Sequence, residues 1–227
     1  MIQAVGEDAL LISFGDAIDS ALPGQIAALC QRIEALELPW LVDLVPSYTT
    51  LLVIYDPVAV NVFEARARLR PLIDSQPETI GPATNAQQGR LIELPVYYSQ
   101  ETGPDLAWMA EHTGLSSQQI IERHTAETYQ VYAIGFAPGF GFMGQVDPSI
   151  ACPRKDTPRT QVPAGSVGIA NRQTAVYPKA SPGGWQLIGR CPTQLFDEVN
   201  LSLLRVGDKV RFVAIGKDEF LAQGGQL

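Results

Sequence analysis

The chain has 227 residues with 24 acidic against 16 basic side chains, a formal charge of −8. That balance excludes a general nucleic-acid binder, because an anionic polymer would be repelled. Hydrophobic residues make up 46% and charged residues 18%, a globular composition able to bury a core and unlike that of a disordered chain.

The opening residues, Met1 to Asp8, carry acidic groups where a secretory signal carries basic ones, and no apolar run approaches the ~20 residues of a membrane span. A soluble, cytoplasmic protein without a membrane partner is expected. Cys30, Cys152 and Cys191 are odd in number and show no CxxC spacing, which suits a reducing compartment rather than disulfides or a thiolate zinc site.

In chain order, Ala9 to Phe14 reads as a strand. Leu22, Ile26, Leu29, Ile33 and Leu36 then recur at steps of four and three, predicting a helix within residues 19–36 with all five on one face. Trp40 to Val45 and Thr49 to Tyr55 predict a hairpin joined at Pro46-Ser47. Asp56-Pro57 offers an N-cap and first-turn proline for a helix carrying Val62, Ala65 and Leu69, to be ended or kinked by Pro71. After a polar connection over 75–89, Arg90 to Tyr97 reads as a strand. The order strand, helix, strand, strand, helix, strand predicts a ferredoxin-like α+β domain over residues 1–85.

From Pro104 two short helices are predicted, filling about 104–124: Gly114 closes the first in the left-handed position, and Ser116 with Gln119 forms a capping box for the second. Beyond them, short apolar stretches alternate with glycines and prolines, at Tyr129 to Phe136, Val167 to Ala170, Ala175 to Tyr177, Trp185 to Ile188 and Lys209 to Ile215. Residues 86–227 thus read as a mainly-β barrel domain with a helical insertion. The change from helical periodicity to β punctuation puts the boundary between Gly81 and Tyr129.

Charge is unevenly spread. Residues 148–196 contain Arg154, Lys155, Arg159, Arg172, Lys179 and Arg190 against Asp156 alone, a local balance of +5 in a chain of −8. Such a face implies a small anionic ligand or acidic partner, or else a chance cluster of solvated loop charges. Pro153 and Pro158 restrict the backbone beside Arg154 and Arg159, favouring rigid presentation to carboxylate or phosphate.

Gly139-Phe140-Gly141-Phe142-Met143-Gly144 matches G-x-G-x-x-G in letters, but no helix opens after it and residues 157–196 lack the acidic residue a ribose requires. A dinucleotide site is rejected in favour of tight turns at a barrel corner. With His112 and His124 on separate predicted helices, no histidine metal site is expected. His124, beside Glu127, is read either as a proton-transfer group or as a packing histidine. Ser166 is not in a G-x-S-x-G elbow, and Cys152 and Cys191 show no activating neighbour.

Tyr132-Ala133-Ile134-Gly135-Phe136-Ala137-Pro138-Gly139-Phe140, Thr157-Pro158-Arg159, Val162-Pro163-Ala164-Gly165-Ser166-Val167-Gly168-Ile169 and Ser181-Pro182-Gly183-Gly184-Trp185-Gln186-Leu187-Ile188-Gly189 together resemble the KipI/PxpB family. The likeness spans most of residues 90–215. It implies a C-terminal cyclophilin-like barrel and a subunit of bacterial ATP-dependent 5-oxoprolinase, inactive alone and working with PxpA-like and PxpC-like partners.

By that resemblance Arg159 is the anion clamp and His124 the proton-transfer residue. Arg154, Gln173, Tyr177, Gln186 and Arg190 contact substrate, and Pro138, Gly139, Phe140, Pro163, Gly165, Gly183 and Gly184 shape the walls. ATP is the implied cofactor, with no metal site in the chain. The alternatives that the family offers are a protein inhibitor of a sensor histidine kinase and a carboxyltransferase piece of a urea carboxylase. Gly141-Phe142 and Asn171-Arg172 depart from the family pattern, the first losing a phenol and the second adding a charge near the site.

Overall fold

A computed structural model describes residues 1–15, 21–75 and 89–227, which form two compact units, Met1–Gly89 and Arg90–Leu227. Most of the predicted 75–89 connection, residues 76–88, lies outside the described residues, as does the predicted start of the first helix.

The first unit contains strands β1 (Ile2–Ala4) and β2 (Ala9–Ser13), helix α1 (Leu22–Glu34), strands β3 (Leu41–Pro46) and β4 (Thr50–Tyr55), and helix α2 (Val62–Asp74). Its sheet is antiparallel in the order β1-β2-β4-β3. Alternation along β2 and β4 sends Leu10, Ile12, Leu51 and Val53 into one core with Ile26, Leu29 and Ile33 of α1 and Ala65 and Leu69 of α2. Fully burying each large aliphatic side chain contributes roughly 1.5–3 kcal/mol.

Three local readings are corrected. Leu36 lies beyond the end of α1 and is half exposed. Asp56 caps only a short turn through Val58 N (2.9 Å), while α2 is capped by Asn61, whose Oδ1 accepts from Phe63 N and Glu64 N at 3.0 Å. Pro71 sits inside α2, which continues to Asp74.

The strand order also departs from the ferredoxin-like one. The position beside β2 that a fourth, C-terminal strand would take is held by β1, paired through Ile2–Ile12 and Ala4–Leu10. A hairpin between neighbouring strands closes a short loop, which costs less entropy than recruiting a distant segment. The predicted strand at 90–97 instead forms β5 (Leu91–Val96) of the second unit.

After β5 the second unit continues with α3 (Leu106–Thr113), α4 (Ser117–Ala126), β6 (Thr128–Ile134), β7 (Gly141–Gly144) and β8 (Arg159–Val162). Then come β9 (Ser166–Ala170), β10 (Gln173–Val176), β11 (Ser181–Gly183), β12 (Gln186–Arg190), β13 (Phe196–Asp197), β14 (Leu201–Ser202), β15 (Lys209–Ala214) and α5 (Lys217–Ala222). Both predicted helix signals are present: Gly114 is left-handed at φ 72°, and the Ser116/Gln119 capping box is complete. The G-x-G-x-x-G run supplies β7, and a side chain at Gly141 would meet Leu204 Cδ1 at 2.8 Å, so packing accounts for that glycine.

Seven strands run in the order β12-β9-β10-β7-β6-β15-β5, antiparallel except for β15 with β5. The outer strands meet where Tyr97 N donates to Arg190 O (2.9 Å) and Arg190 N to Tyr97 O (3.0 Å), making the sheet a nearly closed barrel. Closure leaves few unpaired edges. Leu94, Val131, Ile169, Ile188 and Phe212 fill the barrel core, capped by Leu106 and Met109 of α3 and Ile120 of α4.

Candidate functional site

The corner between β6 and β7 starts the site. Gly135 N donates to Phe140 O (3.1 Å) and Phe140 N to Ala137 O (2.9 Å), a tight turn with Gly139 at φ 82°. A Cβ on Gly139 would stand 2.8 Å from Leu195 O, so the turn needs glycine for both conformation and space. Phe136 is left-handed too, at φ 70°, and 62% exposed. Left-handed backbone in a bulky residue is strained and concentrates at functional sites.

Phe140, buried by this turn, is the hub of an aromatic cluster. It meets Phe142, Tyr177 and Trp185 edge to face at centroid distances of 4.8, 5.3 and 5.7 Å, and Phe136 at 5.1 Å. These geometries place positive ring edges on negative ring faces. Tyr177 follows β10, and its hydroxyl occupies the space a side chain at Gly183 would need. The rings wall a cleft of about 150 Å³ completed by Gly183, Gly184 and Arg154. Arg154 lies 5.8 Å above the Trp185 ring, where the ring quadrupole attracts its guanidinium.

The loop carrying Arg154 is tied on both sides. Gln186 Nε2 donates to Pro153 O (2.9 Å), and Lys155 N donates to Gly184 O (2.7 Å). Burial raises the Tyr177 phenol above its ordinary value, partly offset by a backbone hydrogen bond from Trp185 and by the charges of Arg154 and Arg159. The phenol is therefore neutral at physiological pH.

Phe140, Arg154, Tyr177, Gly183 and Gly184 thus come together in one cleft, with Gly139 and exposed Pro138 on its corner turn. Gln186 is buried beneath the Arg154 loop. Gln173 opens β10 opposite Gly144 and Ala170. Pro163 and Gly165 form the turn into β9, where Gly165 N donates to Tyr177 O (2.7 Å) and the Arg190 side chain lies against Gly165. Arg190 is at the barrel seam, its Nη1 donating to Gln226 O (2.7 Å), and burial lowers its pKa.

Arg159 borders the cleft but is engaged within the protein. Its Nη2 lies 2.6 and 2.7 Å from the two carboxylate oxygens of Asp105, and its Nη1 donates to Trp185 O (3.3 Å). Asp105, 4% exposed at the start of α3, also accepts from Lys155 Nζ (3.3 Å) and from Leu187 N (2.6 Å). Sequence reasoning read this position only as a helix start. Its carboxylate makes no capping bond, and no signal along the chain marks it, because its cationic partners lie 50 and 54 positions away.

His124 is fully buried apart from these groups. Its Nδ1 lies 2.8 Å from Tyr98 Oη and its Nε2 2.9 Å from Thr174 Oγ1, and Phe212 stacks on the ring at 4.6 Å. Thr174 Oγ1 donates its proton to Gly168 O (3.1 Å), so Nε2 carries the hydrogen and Nδ1 accepts from Tyr98. Desolvation lowers the His124 pKa to about 3. The imidazole is neutral and both nitrogens are used, the arrangement of a packing histidine. Among the described residues no cluster of His, Cys, Asp and Glu suited to a metal ion occurs, and no helix is long and apolar enough to cross a membrane.

Known proteins are similar to this chain in sequence and fold. The chain is 40% identical to the 5-oxoprolinase B-subunit of Bacillus subtilis (strain 168), across 97% of this chain and 95% of that one. Among solved structures it is similar to TTHA0988, with TM-score 0.79 and 34% identity; the match covers 95% of this chain but 40% of TTHA0988, which is much longer. The fold alone is shared with the Kluyveromyces lactis urea carboxylase, at TM-score 0.76 and 16% identity over 97% of this chain and 22% of that one. The model of the carboxyltransferase domain, subdomain C and D, matches residues 1–203, and this chain belongs to that family.

Proposed function

We propose that the chain is the B-type component of a cytoplasmic 5-oxoprolinase, which with partner subunits opens the lactam of 5-oxoproline to glutamate while ATP is converted to ADP and phosphate. The observation that carries this reading is the 40% identity to the Bacillus subtilis 5-oxoprolinase B-subunit over 95% of that relative's length. Three cysteines without disulfides suit the compartment.

The cleft is the substrate site in this reading. A five-membered lactam ring is flat enough to lie against Phe140 and Trp185, and its carboxylate meets Arg154, whose planar fork matches two oxygens. Amide resonance makes the lactam carbon a poor electrophile. Phosphoryl transfer from ATP to the amide oxygen converts that oxygen into a leaving group. Water then adds at the carbon, the C–N bond breaks as nitrogen takes a proton, and a second water releases phosphate. The chain's own contribution is to orient the ring, hold its carboxylate and exclude bulk water. Arg154 takes the anion-binding role, because Arg159 is occupied by Asp105 and His124 by the core.

Phosphate release from ATP and glutamate formation on adding 5-oxoproline test the proposal, with the chain alone and with its partner subunits. Turnover in the full mixture only is expected. The reading fails if the mixture is inactive while the same partners turn over with the Bacillus subtilis relative in place of this chain.

A further inference from the structure

Resting on the cleft reading above, we propose that Asp105 is a specificity-determining residue that leaves the cleft one free cation and so makes it a site for a single carboxylate. Three cations surround the aromatic walls: Arg154 lines the cleft, Arg159 bonds to Trp185 O, and Lys155 bonds to Gly184 through its backbone. Asp105 reaches two of them at once, through both of its oxygens to Arg159 and through Oδ1 to Lys155. Its position is fixed independently by the Leu187 N–H at 2.6 Å, a buried bond from the barrel strand β12. With a side chain 6% exposed, Asp105 acts in a medium of low effective dielectric, where opposite charges couple strongly. Arg154 has no such carboxylate partner among its described contacts; its neighbour is the Trp185 face.

The consequence is a count of carboxylates against free cations. With Asp105 in place, one guanidinium is left to receive a ligand, which matches the one carboxylate of 5-oxoproline. Ring opening adds an ammonium and a second carboxylate, so the net charge is unchanged, and it is the second carboxylate for which the described lining of the cleft offers no second free cation. Asp105 therefore favours substrate over dicarboxylate product by holding Arg159 and Lys155 away from the ligand. Specificity of this kind comes from what is withheld as much as from what is supplied.

The test compares binding of 5-oxoproline and of glutarate, a plain dicarboxylate probe, to the full chain by titration calorimetry. The native chain is expected to prefer 5-oxoproline. Asp105→Asn keeps the shape and frees Arg159, and glutarate is expected to bind roughly tenfold more tightly relative to 5-oxoproline, the size of one charge-assisted hydrogen bond. A merely structural role would weaken both ligands alike, and that result overturns the proposal. Because the single change leaves a cation unpaired, Asp105→Asn with Arg159→Gln gives a second, electrically matched chain. It should return to the native preference; a persistent gain for glutarate would show that Arg159 is not the source. If the native chain binds neither ligand, the cleft reading itself fails and takes this proposal with it.

Discussion

His124 donates from Nε2 to the Thr174 hydroxyl at 2.9 Å, and that hydroxyl donates onward to Gly168 O at 3.1 Å. This short chain links α4 to β9 and β10, and it fixes the imidazole in a neutral tautomer inside the barrel.

Stability should therefore depend on pH in a specific window. In the unfolded chain His124 titrates near its ordinary 6.5, whereas in the folded chain burial lowers its pKa to about 3. Between these values the unfolded state binds a proton that the native state excludes. Stability is thus fully present above about 6.5 and declines as pH falls toward 3, by up to about 1.4 kcal/mol per pH unit. Urea unfolding at a series of pH values should show this slope, and His124→Phe should flatten it by about that amount. Thr174→Val, which strands the Nε2 hydrogen, should cost about 1–3 kcal/mol at neutral pH.

Arg154→Gln should raise KM for 5-oxoproline in the assembled enzyme by about tenfold or more, the loss of a charge-assisted contact. The side chain is not part of a core network, so the unfolding midpoint should barely move. Steady-state kinetics beside a thermal melt separate the two effects.

Phe136 gives the opposite combination to a core residue. Relief of its left-handed strain by Phe136→Gly, worth about 1–3 kcal/mol, is offset by glycine's extra unfolded-state entropy of about 0.4–1 kcal/mol and by a lost ring contact. Net stability should change by less than about 1 kcal/mol, while affinity for 5-oxoproline drops several-fold as one cleft wall disappears. Calorimetric binding with a denaturation curve checks both.

The barrel seam is sensitive to one methyl group. A side chain on Gly189 would come within 2.8 Å of Val96 Cγ1 and 2.9 Å of Tyr97 O, pushing apart the strands that the Tyr97–Arg190 bonds join. Gly189→Ala should cost about 2 kcal/mol, in the usual range for overpacking, and should accelerate amide exchange at Tyr97 and Arg190 before it affects the first unit.

Local signals predicted the local structure well. The spacing of Leu22, Ile26, Leu29 and Ile33 gave α1 its buried face, the Ser116/Gln119 pair gave α4 its cap, and Gly114 closed α3. Signals that admit two local outcomes misled. Asp56-Pro57 began a turn and not a helix, because the better-placed Asn61 capped α2. Pro71 was tolerated because the tertiary packing of Leu69 and its neighbours outweighs one missing backbone bond.

The cleft was legible in part. Phe140, Arg154, Tyr177, Gly183 and Gly184 stood in motifs whose glycines and aromatics implied a built surface. Asp105 was not legible as a site residue, since it lies 54 positions from Arg159 and its sequence context is that of a helix start. His124 and Arg159 stood out by motif position and residue chemistry, while their hydrogen-bond partners, Tyr98 and Thr174 for the one and Asp105 for the other, come from distant parts of the chain.

The sequence by itself determined what depends on neighbours along the chain: which segments are amphipathic, where turns require glycine, and that a hydrophobic core forms beside a cation-rich loop. Tertiary structure decided everything that depends on long-range pairing. It chose β1 over β5 for the first sheet's edge, β1 joining β2 through a short hairpin and β5 pairing in parallel with β15. It also set Arg159 against the buried Asp105 carboxylate and Arg154 over the Trp185 ring, contacts between residues far apart in the chain that only folding brings together.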